Sequence, residues 1–109
     1  MAPTMIHIWY TREPGTTFDY SYYTTEHIPL ALSIRGRDHG AKAHSVTRFD
    51  QASGDMSSGF HLAAIFEFSE KQQYEAAMAD ERTEDIMDDV PNFTKVTLVF
   101  LVGEVLSTG

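Results

Sequence analysis

Along the chain, stretches in which apolar and polar residues alternate are interleaved with stretches in which apolar residues recur every three or four positions. Residues 4–11, TMIHIWYT, alternate and are rich in isoleucine and aromatics, which predicts a strand. Ile6, Ile8 and Tyr10 fall on one face of that strand, and Met5, His7 and Trp9 on the other. REPGTT then reads as a turn. A helix is predicted to start at Asp19, whose carboxylate can cap free amides, with Phe18 before it packing on Tyr23 as a hydrophobic staple. Tyr20, Tyr23, His27 and Leu30 keep helical spacing. Pro29 removes an amide and disfavours helix at Ile28, so the helix is expected to end, kink or restart near His27. Residues 34–40, IRGRDHG, read as a polar loop.

The second half repeats the alternation. Residues 41–50 predict a strand, and residues 51–59, QASGDMSSG, a flexible loop. FHLAAIFEF, residues 60–68, is a strong strand, with Leu62, Ala64, Phe66 and Phe68 on one face and His61, Ala63, Ile65 and Glu67 on the other. Ser69 with Gln72 forms a capping-box pattern. The following helix carries Tyr74, Ala77, Met78, Ile86, Met87 and Val90 on one side; Arg82 interrupts that stripe and suggests two helical pieces ending at Pro91-Asn92. Residues 93–106 form a long last strand whose centre, LVFLV, is apolar at every position, as expected of a strand buried on both faces. The order βαββαβ predicts an α+β, ferredoxin-like fold: a four-stranded antiparallel sheet with two helices on one face. The other face would be bare in a monomer. A homodimer in which two sheets face each other, a dimeric α+β barrel, would cover it.

Composition narrows the partners. The 109 residues, 42% hydrophobic and 22% charged, suit one folded domain over 1–109. A net charge of −8 argues against nucleic acid, which needs a basic face, and against anionic membrane surfaces. The chain has no cysteine, so disulfides, zinc–thiolate sites and cysteine nucleophiles are excluded, and a reducing cytoplasm fits. MAPTMIHIWY has no basic region ahead of an apolar run, so no signal peptide is expected, and no apolar run is long enough to span a membrane.

Candidate chemistry centres on histidine. None of His7, His27, His39, His44 and His61 forms a metal-ligand pair at helical spacing, and no phosphate-binding loop or nucleophile elbow is present, so no metal and no cofactor is expected. The acidic run of residues 80–89 reads as a solvated helix face, and RGRDH as too small for a nucleic-acid patch. His27 has two readings: a histidine meeting the carbonyls at a helix end, or a general acid/base titrating near neutral pH. If Ile6, Ile8, Leu62, Ala64 and Phe66 pack on the helices, then His7, Trp9, His61, Ile65 and Glu67 point into the barrel. There they either line a small-molecule pocket or fill the space by bonding to one another.

FDYSYYTTEHIPLA, residues 18–31, resembles the FDxxYYxxxHxPL motif of the EthD family of dimeric α+β barrel proteins, named after a protein of ethyl tert-butyl ether degradation. DIMDDVPNFTKVTLVFLVGEV resembles that family's second characteristic stretch, so the resemblance covers nearly the whole chain. It implies a ferredoxin-like protomer and a homodimer. It also aligns the motif histidine with His27 and the motif aromatics with Phe18, Tyr22 and Tyr23. His61 stands where many relatives carry an apolar or aromatic residue. Relatives include cofactor-free decarboxylases, monooxygenases and isomerases. The namesake accompanies a cytochrome P450 system.

Three readings follow. The first is an enzyme acting on a small hydrophobic or aromatic molecule, with His27 as acid/base, Tyr22 or Tyr23 orienting it or polarising the substrate, and His7, Trp9, His61, Ile65, Phe66 and Phe100 as binding residues; Phe68 is a further candidate for the apolar wall. The second is a non-catalytic carrier or accessory protein using the same cavity. The third is a dimer whose barrel is packed solid.

Overall fold

A computed structural model describes residues 3–49 and 59–107. The loop expected at 51–59 therefore lies outside the described residues except for Gly59. Strands β1 (Thr4–Arg12), β2 (Lys42–Arg48), β3 (Gly59–Phe68) and β4 (Leu98–Glu104) form one antiparallel sheet in the order β2-β3-β1-β4. Three helices accompany it: α1 over residues 20–39, α2 (Lys71–Ala79) and α3 (Thr83–Asp89). This is the ferredoxin-like arrangement that the order of elements predicts.

The predicted start of α1 is present. Asp19 Oδ1 accepts from the Tyr22 amide at 3.0 Å, and the Phe18 and Tyr23 rings lie 5.4 Å apart. Of the end, kink or restart expected near His27, the end is absent. The helix neither stops nor restarts at Pro29 but widens: the Ile28 amide donates to the Tyr23 carbonyl, five residues back, and the Arg37 amide to that of Leu32. The Thr25 hydroxyl donates to the Ser21 carbonyl at 2.7 Å, just ahead of the amide that proline lacks. The stretch read as a polar loop, residues 34–40, is thus helical as far as His39. Gly40, at φ 79°, ends the helix.

In an α-helix every fourth residue drifts about 40° around the axis. The two wide turns offset that drift, and Tyr23, His27, Ala31 and Arg35, four apart, are all buried.

The core lies between the helices and one sheet face. Ile6, Ile8, Tyr10, Leu62, Ala64, Phe66 and Phe68 meet Tyr23, Ala77 and Phe93 there, as the alternation predicts. The break at Arg82 separates α2 from α3, and the Asp80 carboxylate accepts from the Arg82 amide at 2.9 Å. The capping box falls one residue later than expected: Gln73 Oε1 accepts from the Glu70 amide at 3.2 Å.

Two expectations for the strands change. β4 is shorter than predicted, because the chain before it pairs elsewhere: Thr94 bridges Phe18, and the Thr94 hydroxyl donates to the Thr17 carbonyl at 2.9 Å. β4 is also one of the two edge strands and is not buried on both faces within the protomer. Phe100 is 38% exposed and Leu101 53%. On β3, the pairing with β1 jumps from Leu62 opposite Tyr10 to Phe60 opposite Thr11, so His61 is an extra residue. That bulge breaks the alternation, and His61 lies on the helix side rather than beside His7 and Trp9.

Gly40→Ala tests the helix end. Its Cβ would need the left-handed conformation and would meet the Gln73 side-chain nitrogen at 3.0 Å. A loss of about 1 kcal/mol or more in urea unfolding is expected, with an unchanged slope.

Candidate functional site

The site grows from the wide turn of α1 and the end of α3. His27 Nδ1 lies 2.9 Å from Asp89 Oδ2. The second oxygen of Asp89 accepts from the Tyr22 hydroxyl at 2.6 Å and from Asn92 Nδ2 at 2.9 Å. A carboxylate so placed fixes the proton on Nδ1. Nε2 then carries the lone pair, with no protein partner among the described residues. Tyr23, stacked 5.3 Å away, and Phe93, at 4.6 Å, hold the ring, and His27 is only 4% exposed.

Burial dominates the electrostatics of His27. It lowers the imidazole below its ordinary value; Asp89 pulls the other way, and the positive charge of Arg35 adds to the lowering. Burial works to raise the Asp89 carboxyl. Its bonds from Tyr22, Asn92 and His27 outweigh that and hold it below the usual range. Tyr22 is raised, first by its bond to Asp89 and then by burial. The pair at neutral pH is therefore a neutral imidazole oriented by a carboxylate, the form that accepts a proton.

His27 lines a cavity of about 20 Å³ between α1, α3 and the sheet, walled by Ile8, Tyr10, Tyr23, Phe66, Val90 and Leu98, with Arg35 also at its surface. Phe100 and Met87, both partly exposed, close its outer side. As it stands the cavity has room for about one water. A larger ligand enters only where that outer wall, part of it a flexible methionine, gives way. A wider groove of about 650 Å³ runs between residues 15–19 and 91–95, and neither His27 nor Asp89 lines it.

The structure thus brings His27, Tyr22 and Tyr23 together with Phe66 and Phe100. Phe68 lies on the same side of the sheet and lines a neighbouring cavity. His7, Trp9 and Ile65 lie on the opposite sheet face, where Trp9 stacks on Phe49 at 5.6 Å and meets Phe60 edge-on at 5.1 Å. The Trp9 indole donates to His7 Nδ1 at 3.4 Å. His61 belongs to neither group. Its ring nitrogens lie 3.2 Å from the Thr16 hydroxyl and 3.3 Å from that of Tyr20, beside Phe18, which makes it a hydrogen-bonded core histidine. Its imidazole is lowered by burial and by the charge of Arg12.

Two residues of the site were not read from the sequence as functional. Asp89 lies in an acidic run whose pattern is that of a solvated face, and Arg35 in a stretch whose pattern is that of a polar loop. The one signal for Asp89 was its place immediately before the Val-Pro-Asn segment that ends the helix. Among the described residues no group of three potential metal ligands occurs, and no helix is long and apolar enough to cross a membrane.

Residues 15–97 match the EthD domain. The chain belongs to the EthD family. An EthD-like protein from Ralstonia eutropha JMP134 superposes with a TM-score of 0.83 at 20% identity, over 98% of this chain and 95% of that one. An EthD family protein from Bacillus halodurans C-125 does so at 0.60 and 22% identity, over 97% and 100%. SnoaB from Streptomyces nogalater, a cofactor-independent oxygenase, is similar at 0.64 and 12% identity, over 97% and 94%. At these identities the likeness concerns the fold. No protein with a curated description matches.

The lowered imidazoles predict acid sensitivity. Below the ordinary histidine value the unfolded chain takes up protons that folded His27 and His61 resist, so stability present above that value is lost as pH falls. The thermal midpoint should drop between about pH 7.5 and about pH 5. His27→Gln and His61→Gln should each flatten that drop, and an unchanged slope in both variants would refute the assignment.

Proposed function

We propose that this EthD-family protein binds a small hydrophobic or aromatic molecule at the His27 cavity and that His27 removes a proton from it. The reading is carried by the His27–Asp89 pair: a buried neutral imidazole, its Nδ1 proton held by a carboxylate, its Nε2 without a partner among the described residues beside a largely apolar cavity. The reaction class is proton abstraction from an enolisable or phenolic substrate, the opening step of an isomerisation or of a cofactor-independent oxygenation. The step uses only side chains of this chain. Asp89 acts as a positioning residue, and Tyr22 holds Asp89 rather than the substrate. The likeness to a cofactor-independent oxygenase is compatible with this chemistry.

Deuterium exchange into benzoylacetone, an aromatic 1,3-diketone, provides a direct measurement. Wild-type protein should accelerate exchange over buffer, and His27→Ala should lose roughly 10²–10⁴ of that acceleration. Asp89→Asn should retain the fold and lose part of it. Acceleration that survives His27→Ala removes the base, as does none by the wild type with either the diketone or its carboxylate analogue benzoylacetate. Binding of the diketone without exchange would favour a carrier.

The bare sheet face and the exposed Phe100, Leu101 and Val102 of edge strand β4 support a homodimer. Light scattering should then give about twice the 12.3 kDa chain mass. A monomer at micromolar concentration would sink that reading.

A further inference from the structure

Arg35 is a second unusual group in the same cavity. It sits in the second wide turn of α1, is 7% exposed, and its Nε is buried with no hydrogen-bond partner among the described residues. No ion pair joins its guanidinium to an acid among the described residues. It lines the His27 cavity and also a second one of about 10 Å³ between α1, Ala41 and Met78. Its Nε is buried without a partner while its terminal nitrogens are not, and a largely buried guanidinium with no acidic counter-charge is costly; Arg does not escape by losing its proton. The polar groups nearest in effect are the Tyr10 and Tyr74 phenols. Tyr10 is pushed up to about 12, mainly by burial, so it stays neutral and cannot compensate the charge. Asp89 is already held by three other groups. The surface shows the contrast: Arg82 contacts both Asp38 and Asp80.

We infer that Arg35 is an anion-binding group, which takes the carboxylate of an aromatic or acyl acid whose apolar body occupies the His27 cavity. The planar fork of a guanidinium matches a carboxylate with two parallel hydrogen bonds, and desolvation strengthens the pair. Ile8, Phe66 and Leu98 supply the apolar wall between the two groups. The acid would then lie with its charge at Arg35 and its body beside His27. This inference rests on the His27 cavity being the ligand's place, and it narrows the ligand to an organic acid. The occupied cavity is larger than the empty one, so binding displaces the Phe100–Met87 wall.

Benzoate and its neutral analogue benzyl alcohol are the probes. Calorimetry on wild-type protein should show saturable benzoate binding at least ten times tighter than that of benzyl alcohol. Arg35→Met should abolish this preference without lowering the thermal midpoint of the ligand-free protein, because it removes a largely buried charge that has no acidic partner among the described residues. The wild type provides a readout that does not depend on the variant folding: the Arg35 Nε–H resonance should shift saturably on titration with benzoate. Equal binding of the two probes, benzoate binding that persists in Arg35→Met, or an unmoved Nε–H resonance would overturn the inference. His27→Ala separates the two readings. Benzoate binding retained there while diketone exchange is lost upholds both. Benzoate selectivity with exchange surviving His27→Ala leaves Arg35 assigned and the base refuted.

Discussion

Helix α1 presents a single buried line from Tyr23 to Arg35, and a regular α-helix cannot do this with residues spaced four apart. Two wide turns supply the correction. They place Tyr23, His27, Ala31 and Arg35 in the buried layer, with an aromatic ring, an imidazole, a methyl group and a guanidinium in sequence. The ring anchors the helix against Tyr10, Phe18 and Phe93. The two titratable groups are then fixed in the cavity by the same packing that stabilises the domain. The polar members of the line come at a cost in desolvation that the aromatic contacts around Tyr23 help to offset.

The geometry around His27 depends on a second element arriving at the right place. Asp89 closes α3, and its carboxylate reaches back to α1, where it bonds both His27 and Tyr22. The motif tyrosines therefore divide their work. Tyr23 packs in the core and stacks on the imidazole, whereas Tyr22 orders the carboxylate that orders the imidazole. The Tyr22 hydroxyl is engaged by Asp89.

Most of the fold was legible because it depends on local pattern. The Asp19 cap, the Phe18–Tyr23 staple, the faces of β1 and the break at Arg82 all follow from spacing and residue type. The misreadings came from features with no local signature. A proline in a helix predicts a break, and only the surrounding packing shows that the backbone widens instead. A β-bulge leaves no mark on an alternating stretch, so His61 was placed on the wrong face. Asp89 and Arg35 were passed over because charged residues are usually solvated. Their burial depends on where two distant elements meet. His27 was legible as a residue, but its partner was not.

The wide turns of α1 also bear on how this helix tolerates change in length. Each accommodates one residue more than a regular turn would need. Deleting a residue near either one could restore regular hydrogen bonding, so the helix itself would survive. Everything beyond the deletion would rotate by about 100°, and Arg35 would leave the buried line while the sheet and the aromatic anchor stayed in place. The helix thus carries its specificity in its count of residues as well as in their identity.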